Sequence, residues 1–243
     1  NGTNGSNLAI AYEIETPSLS SDTIGADNEV AVSAMLWDIY DFTNEAGFDT
    51  ISTGIGNTGT GIWDVFRNYL PLTDLVSLED FWDGWFARGN GTLGATGDVT
   101  GIFEARKTYY REDTKEPDDT AGSATALTVG NPLTSGTPDA NLTFYPAGDV
   151  DWFSFSYIQG KTYTVETTNL GDGADPSMEI YSDPSQPAVC TNDDISTTNV
   201  NAQIKVHVSC PGLTTGTLYV KLFPSADATN PAEYGNYNIK ITP

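Results

Sequence analysis

Positive charge is scarce in this chain. Of 243 residues only ten are Lys or Arg and one is His, against 33 Asp and Glu, for a formal net charge of −23. A field of that sign repels phosphate backbones and anionic lipid surfaces, which excludes nucleic acid and membrane partners. The halves on either side of residue 115 carry −12 and −11, so no acidic tail accounts for the balance. Long hydrophobic runs are also missing: no apolar stretch approaches the ~18 residues that a membrane-crossing helix needs. No basic stretch leads into an apolar one as in a secretory leader, and position 1 is Asn. The expectation is a chain soluble as given, and either processed or excised from a longer one.

The near-absence of histidine excludes much site chemistry. No H-E-x-x-H pair is present, and Cys190 and Cys210 lack metal-ligand spacing, so no zinc site is expected in this chain. A Ser-His-Asp relay would have to use His207, which falls out of phase with Ile204, Val206 and Val208 in QIKVHV and reads as an outward strand residue. There is no G-x-S-x-G turn, and GNTGTG at 56–61 has no Lys after it to serve a phosphate. Two cysteines remain. An even count in a chain of this composition points to one disulfide closing a loop of 20 residues, the other reading being two buried thiols in a reduced compartment.

What is present is Asp, Thr, Asn and Gly in abundance, a composition that suits a secreted or cell-surface protein and offers oxygen ligands to hard cations. N-x-[ST] sequons begin at Asn1, Asn4, Asn90 and Asn141, the glycosylation candidates.

The chain changes period near its middle. In DNEVAVSAMLWDIYDF, Asp27 or Asn28 can cap a helix whose stripe is Val30, Ala34, Trp37 and Tyr40 or Asp41, with apolar residues on the remaining face as well. Such a helix is expected to be buried on most sides. A second helix is read over 61–69 with Ile62, Phe66 and Tyr69 on its stripe and Trp63 and Leu70 widening it, ended by Pro71. The third starts at SLED, with Ser77 and Asp80 placed for a capping box, and carries Leu78, Phe81, Trp82, Trp85 and Phe86 up to Gly89. A fourth follows Asp98, with Ile102, Phe103, Arg106 and Tyr109 or Tyr110.

EPDDTAGSA at 116–124 shifts to turn formers and acids, and marks a domain boundary. After it, WFSFSY, TYTVET, SMEIYS, QIKVHV, LYVKLF and YNIKIT alternate with period two. The expected fold is α+β in two domains, a small α-helical domain over 16–115 followed by an antiparallel, jelly-roll-like β-sandwich over 116–243. Ahead of both, NLAIAYEIET sets Leu8, Ile10, Tyr12 and Ile14 on one strand face, so 1–15 is taken as an N-terminal strand segment.

Two acidic groupings can carry chemistry. Asp38, Asp41 and Glu45 share one helix face, as acid and base, as ligands, or as a solvated acidic surface that Arg67, Arg88 or Arg106 can neutralise. Glu116, Asp118 and Asp119 in the linker, with Asp149 and Asp151 before the aromatic strand, form either a calcium site or a solvated turn.

The order EPDDT, GDVDWFSF, GKTYTVET, GADPSMEIY, Cys190 to Cys210, TLYVKLF and GNYNIKIT is similar to the bacterial pre-peptidase C-terminal (PPC) domain, a β-sandwich appended to secreted peptidases. The resemblance spans 116–243 and implies calcium held by Glu116, Asp118, Asp119, Asp149 and Asp151, although Asp118 stands where Asn is common and the loop SDPSQPAVCTNDD is this chain's own. The helical half, through VSAMLWDIYD, IWDVF, DFWDGW and IFEARKTYY, resembles the region downstream of the zinc motif in secreted metallopeptidase-like proteins. That implies catalytic residues upstream of Asn1. The function expected is a non-catalytic extracellular module for surface anchoring or assembly, such as a filament or surface-layer subunit that self-associates or binds another extracellular protein through its N-terminal strand. The alternative is the C-terminal portion of a secreted zinc metallopeptidase.

Overall fold

The computed structural model describes residues 25–26, 28–40, 59–72, 76–92, 99–133, 142–196, 199–206, 210–225 and 234–243. The chain divides into two compact units, Asn1–Arg106 and Lys107–Pro243. The first is helical and the second a β-sandwich, so the fold is α+β.

In the first unit, α1 spans Glu29–Tyr40, and Asn28 caps it by accepting from the backbone N–H of Val30 at 2.9 Å and Ala31 at 3.2 Å. Its buried face is Ala31, Ala34, Met35, Asp38 and Ile39. This corrects the expected stripe, because Trp37 and Tyr40 are 40% and 53% exposed. Charge is the reason: Asp38 turns inward to meet the guanidinium of Arg106 at 3.0 Å, both side chains fully buried. Removing either partner would strand the other's charge in the core. Of the expected Asp38, Asp41 and Glu45 face, Asp38 is therefore a core ion-pair member, and the other two lie outside the described residues.

Helix α2, Gly59–Asn68, runs into a 3₁₀ turn at Leu70–Leu72 that contains Pro71. Val65 is its buried apolar side chain, whereas Trp63 and Phe66 are 65% and 42% exposed, again a rotation from the expected stripe. Contact with α3, Leu78–Ala87, explains it. A Cβ on Gly84 would fall 2.8 Å from Val65 Cγ1 and 2.6 Å from Tyr69 Cδ1, so a bare glycine lets these helices approach. The capping box of α3 forms as read: Ser77 Oγ accepts from Asp80 N–H at 3.1 Å, and Asp80 accepts from Ser77 N–H at 3.0 Å. Helix α4 is short, Thr100–Ala105, and Lys107 in the left-handed region (φ 65°) follows it. Tyr109 and Tyr110 consequently do not extend its stripe; they belong to the second unit.

Among the described residues of that unit are nine strands: β1 (Thr125–Ala126), β2 (Leu142–Thr143), β3 (Asp151–Tyr157), β4 (Thr164–Gly171), β5 (Pro176–Tyr181), β6 (Cys190–Asn192), β7 (Gln203–Lys205), β8 (Gly216–Pro224) and β9 (Asn236–Thr242). They form sheets of order β1-β3-β8-β5-β6 and β2-β9-β4-β7, antiparallel except for β1 beside β3. All six alternating runs of the sequence contribute strands. Phe153, Phe155 and Tyr157 of β3 face Val165, Ile204, Tyr237, Ile239 and Ile241 within one apolar core. In β3 the alternate residues Trp152, Ser154 and Ser156 are less buried, as period two requires, whereas in β9 Asn236 and Asn238 are buried as well.

Strands β6 and β7 are the last of their respective sheets, and the chain crosses between the sheets there. Cys190 in β6 and Cys210 beyond β7 are paired in a disulfide with Cα atoms 5.3 Å apart.

Candidate metal centre

The linker and the start of β3 come together through main-chain pairing. Trp152 N–H donates to the Asp118 carbonyl at 2.9 Å, and Leu127 N–H donates to the Ser154 carbonyl at 2.7 Å, so 118–127 lies along β3 and continues as β1. On the other side, the Asp149 N–H donates to the Pro146 carbonyl at 3.0 Å, a turn that delivers Asp149 and Asp151 to the same place. One acceptable oxygen each from Glu116, Asp149 and Asp151 lies within 4.8 Å of the others.

These carboxylates are buried where a carboxylate is costly. Asp118 and Asp151 are 1% exposed and Asp149 is 5% exposed. Each of three residues has one oxygen held: Glu116 Oε2 accepts from Asp118 N–H at 3.1 Å, Asp149 Oδ1 from Val150 N–H at 2.7 Å, and Asp151 Oδ2 from the Tyr237 hydroxyl. Their other oxygens, Glu116 Oε1, Asp149 Oδ2 and Asp151 Oδ1, are buried with no hydrogen-bond partner, and so are both oxygens of Asp118. The Thr125 hydroxyl favours the Asp118 charge without meeting hydrogen-bond geometry there.

Burial, followed by mutual repulsion, lifts the group's pKa values. Asp118 rises to about 7, through desolvation and the charges of Glu116 and Asp113. Asp149 rises to about 8, through desolvation and the charge of Glu116. Asp151 lies well above its ordinary value, from desolvation and the charge of Asp149, and Glu116 is raised mainly by desolvation. Without a compensating cation, like charges packed this closely shed charge by taking up protons.

The grouped carboxylates of Glu116, Asp149 and Asp151, each with a buried oxygen that lacks a hydrogen-bond partner, form a hard, all-oxygen donor set, and Asp118 has two more such oxygens. This set fits calcium, which takes six to eight oxygens at irregular geometry and completes its shell with water. It does not suit zinc, whose structural sites use Cys and His. Of the five residues singled out from sequence, Glu116, Asp149 and Asp151 form the tight group, Asp118 is buried beside Asp151, and Asp119 is exposed with its charge acting on Asp149.

Two residues were missed. Asp113 adds its charge to Glu116, Asp118 and Asp151 while accepting from Lys115 N–H at 2.7 Å and Thr143 N–H at 3.0 Å. Its signal was the acidic run of REDTKEPDD, which begins before the linker. Tyr237 gave no signal; in YNIKIT it reads as one more core residue.

Of the remaining candidates, Asn1, Asn4, Asn141, His207 and the strand segment 1–15 lie outside the described residues. Asn90 directly follows the last turn of α3, and its Nδ2, the atom a glycan would join, is buried.

No protein-family model matches the chain, and no curated protein does. Among solved structures, it is similar to the pre-peptidase C-terminal domain of a collagenase from Bacillus anthracis, with 11% identity and a TM-score of 0.35 over 49% of this chain and 93% of that one. It is also similar to PliG, a periplasmic inhibitor of g-type lysozyme. The Salmonella Typhimurium protein matches with 12% identity and a TM-score of 0.28 over 49% of this chain and 97% of that one. The Aeromonas hydrophila protein matches with 12% identity and a TM-score of 0.26 over 49% and 96%. Similarity at this level assigns neither a family nor an activity. Among the described residues no helix is long and apolar enough to cross a membrane.

Proposed function

We propose that the protein is a non-catalytic extracellular module whose β-sandwich binds calcium, and that it acts in surface anchoring or assembly through protein contacts. One observation carries the calcium reading: the five buried oxygens of Glu116, Asp118, Asp149 and Asp151 have no hydrogen-bond partner. A cation held by these residues supplies positive charge to a cluster that otherwise relieves its repulsion by protonation, and it joins the 116–119 linker to the start of β3. Asp119, exposed at the rim, is a further candidate ligand. A net charge of −23 and the Cys190–Cys210 pair accord with a location outside the cell.

The test is thermal unfolding in excess chelator and in millimolar calcium. A ligand at about 100 times its Kd stabilises by about 2.7 kcal/mol, so a clear rise in melting temperature is expected with calcium. Equal melting temperatures in the two conditions overturn the calcium reading. Assembly is tested separately by deleting residues 1–15. The truncated chain is expected to stay folded and monomeric; assemblies that persist unchanged overturn the strand-mediated version of that role.

A further inference from the structure

We infer that Tyr237 is a positioning residue of this centre: from the opposite sheet, its hydroxyl holds Asp151 so that only Oδ1 is presented to the cation. The inference rests on the calcium reading above and extends it to a residue with no ligand atom in the acidic group.

Asp151 opens β3 in the five-stranded sheet, and Tyr237 belongs to β9 in the four-stranded one. The Tyr237 hydroxyl donates to Asp151 Oδ2, while Oδ1 is buried without a partner. Tyr237 is itself fully buried, and its ring stacks on Phe144 with centroids 4.6 Å apart and an interplanar angle of 25°. A phenol wedged this way has little rotational freedom, so its donated proton has a fixed direction. Main-chain donors treat two neighbours alike: Val150 N–H holds Asp149 Oδ1, and Asp118 N–H holds Glu116 Oε2. Asp151 is the one of the three whose oxygen is held by a side chain, so it is the one that a substitution can release. Partners of this kind fix ligand orientation at metal sites, and their removal costs about 10- to 100-fold in metal affinity.

The test compares Tyr237→Phe, which keeps the ring and loses the donor, with Phe144→Leu, which disturbs the stack and keeps the donor. Calcium affinity is read by calorimetry, and terbium luminescence lifetimes in H2O and D2O count the waters on a bound ion. Tyr237→Phe is expected to weaken calcium about 10- to 100-fold and to add about one water to the ion. Phe144→Leu is expected to keep the wild-type water count and affinity within about threefold, whatever it does to the melting temperature in chelator. Tyr237→Phe with wild-type affinity and hydration overturns the inference, as do equal losses in the two variants, which would mean that ring packing alone matters. A wild-type protein that gives no calcium heat overturns the calcium reading itself, and this inference with it.

Discussion

Asp151 shows how a single carboxylate can be both a cost and an asset. With no cation it is a charge buried beside Asp149 and Asp118, and burial pushes its pKa well up. Asp151→Asn is therefore expected to raise the melting temperature in chelator, or at least to spare it, and to abolish the calcium-dependent rise. A wild-type calcium response in that variant would remove Asp151 from the centre. Asp38 presents the opposite case, a buried charge already neutralised by Arg106. Breaking a pair of this kind costs about 3–5 kcal/mol, so Asp38→Asn is expected to lower the urea midpoint of the helical unit by a corresponding amount. Asp149 and Asp151 were legible in the sequence because G-D-x-D precedes an alternating apolar run. Tyr237 was not, since a hydroxyl at the end of a core ring looks in sequence like any other buried aromatic.

Elements differ in how much of themselves they reveal. Strands β3, β4, β5, β8 and β9 were readable because period two assigns the inward face from the chain alone. The inward faces of α1 and α2 were not: α1 carries apolar residues nearly all round, and in α2 the apolar stripe that the sequence shows is not the face that the neighbouring helix covers. In α1 the choice fell to the Asp38–Arg106 pair, and in α2 to the close approach at Gly84. Gly84→Ala is expected to destabilise the helical unit by about 1–3 kcal/mol through overpacking against Val65 and Tyr69, measured by denaturant unfolding. An unchanged midpoint would mean that α2 and α3 can separate without loss.

At the scale of the whole molecule, the acidic centre predicts an unusual pH dependence. Asp118 and Asp149 have ordinary values of 3.8 when unfolded and rise to about 7 and about 8 when folded. Between those limits the folded chain binds more protons than the unfolded one, so stability falls as pH rises. In chelator the melting temperature is expected to be higher at pH 5 than at pH 8. If the proposed calcium site is real, saturating calcium, by favouring the charged carboxylates, is expected to shrink or reverse that difference. A chelated protein that gains stability from pH 5 to pH 8 would show that these groups are charged and satisfied without a cation.

By itself, the sequence determined the α+β class, the order of helices before strands, the capping box at Ser77, and the acidic segments at either end of the prospective centre. Each is written locally, in period, in turn chemistry or in spacing of a few residues. The tertiary structure alone decided which face of α1 and α2 is buried. It also decided that Glu116 meets Asp149 and Asp151 across more than thirty residues of chain, and that Tyr237 holds Asp151 from the other sheet. These depend on how separate elements pack, and no local pattern encodes the distance between residues that meet only when two sheets close.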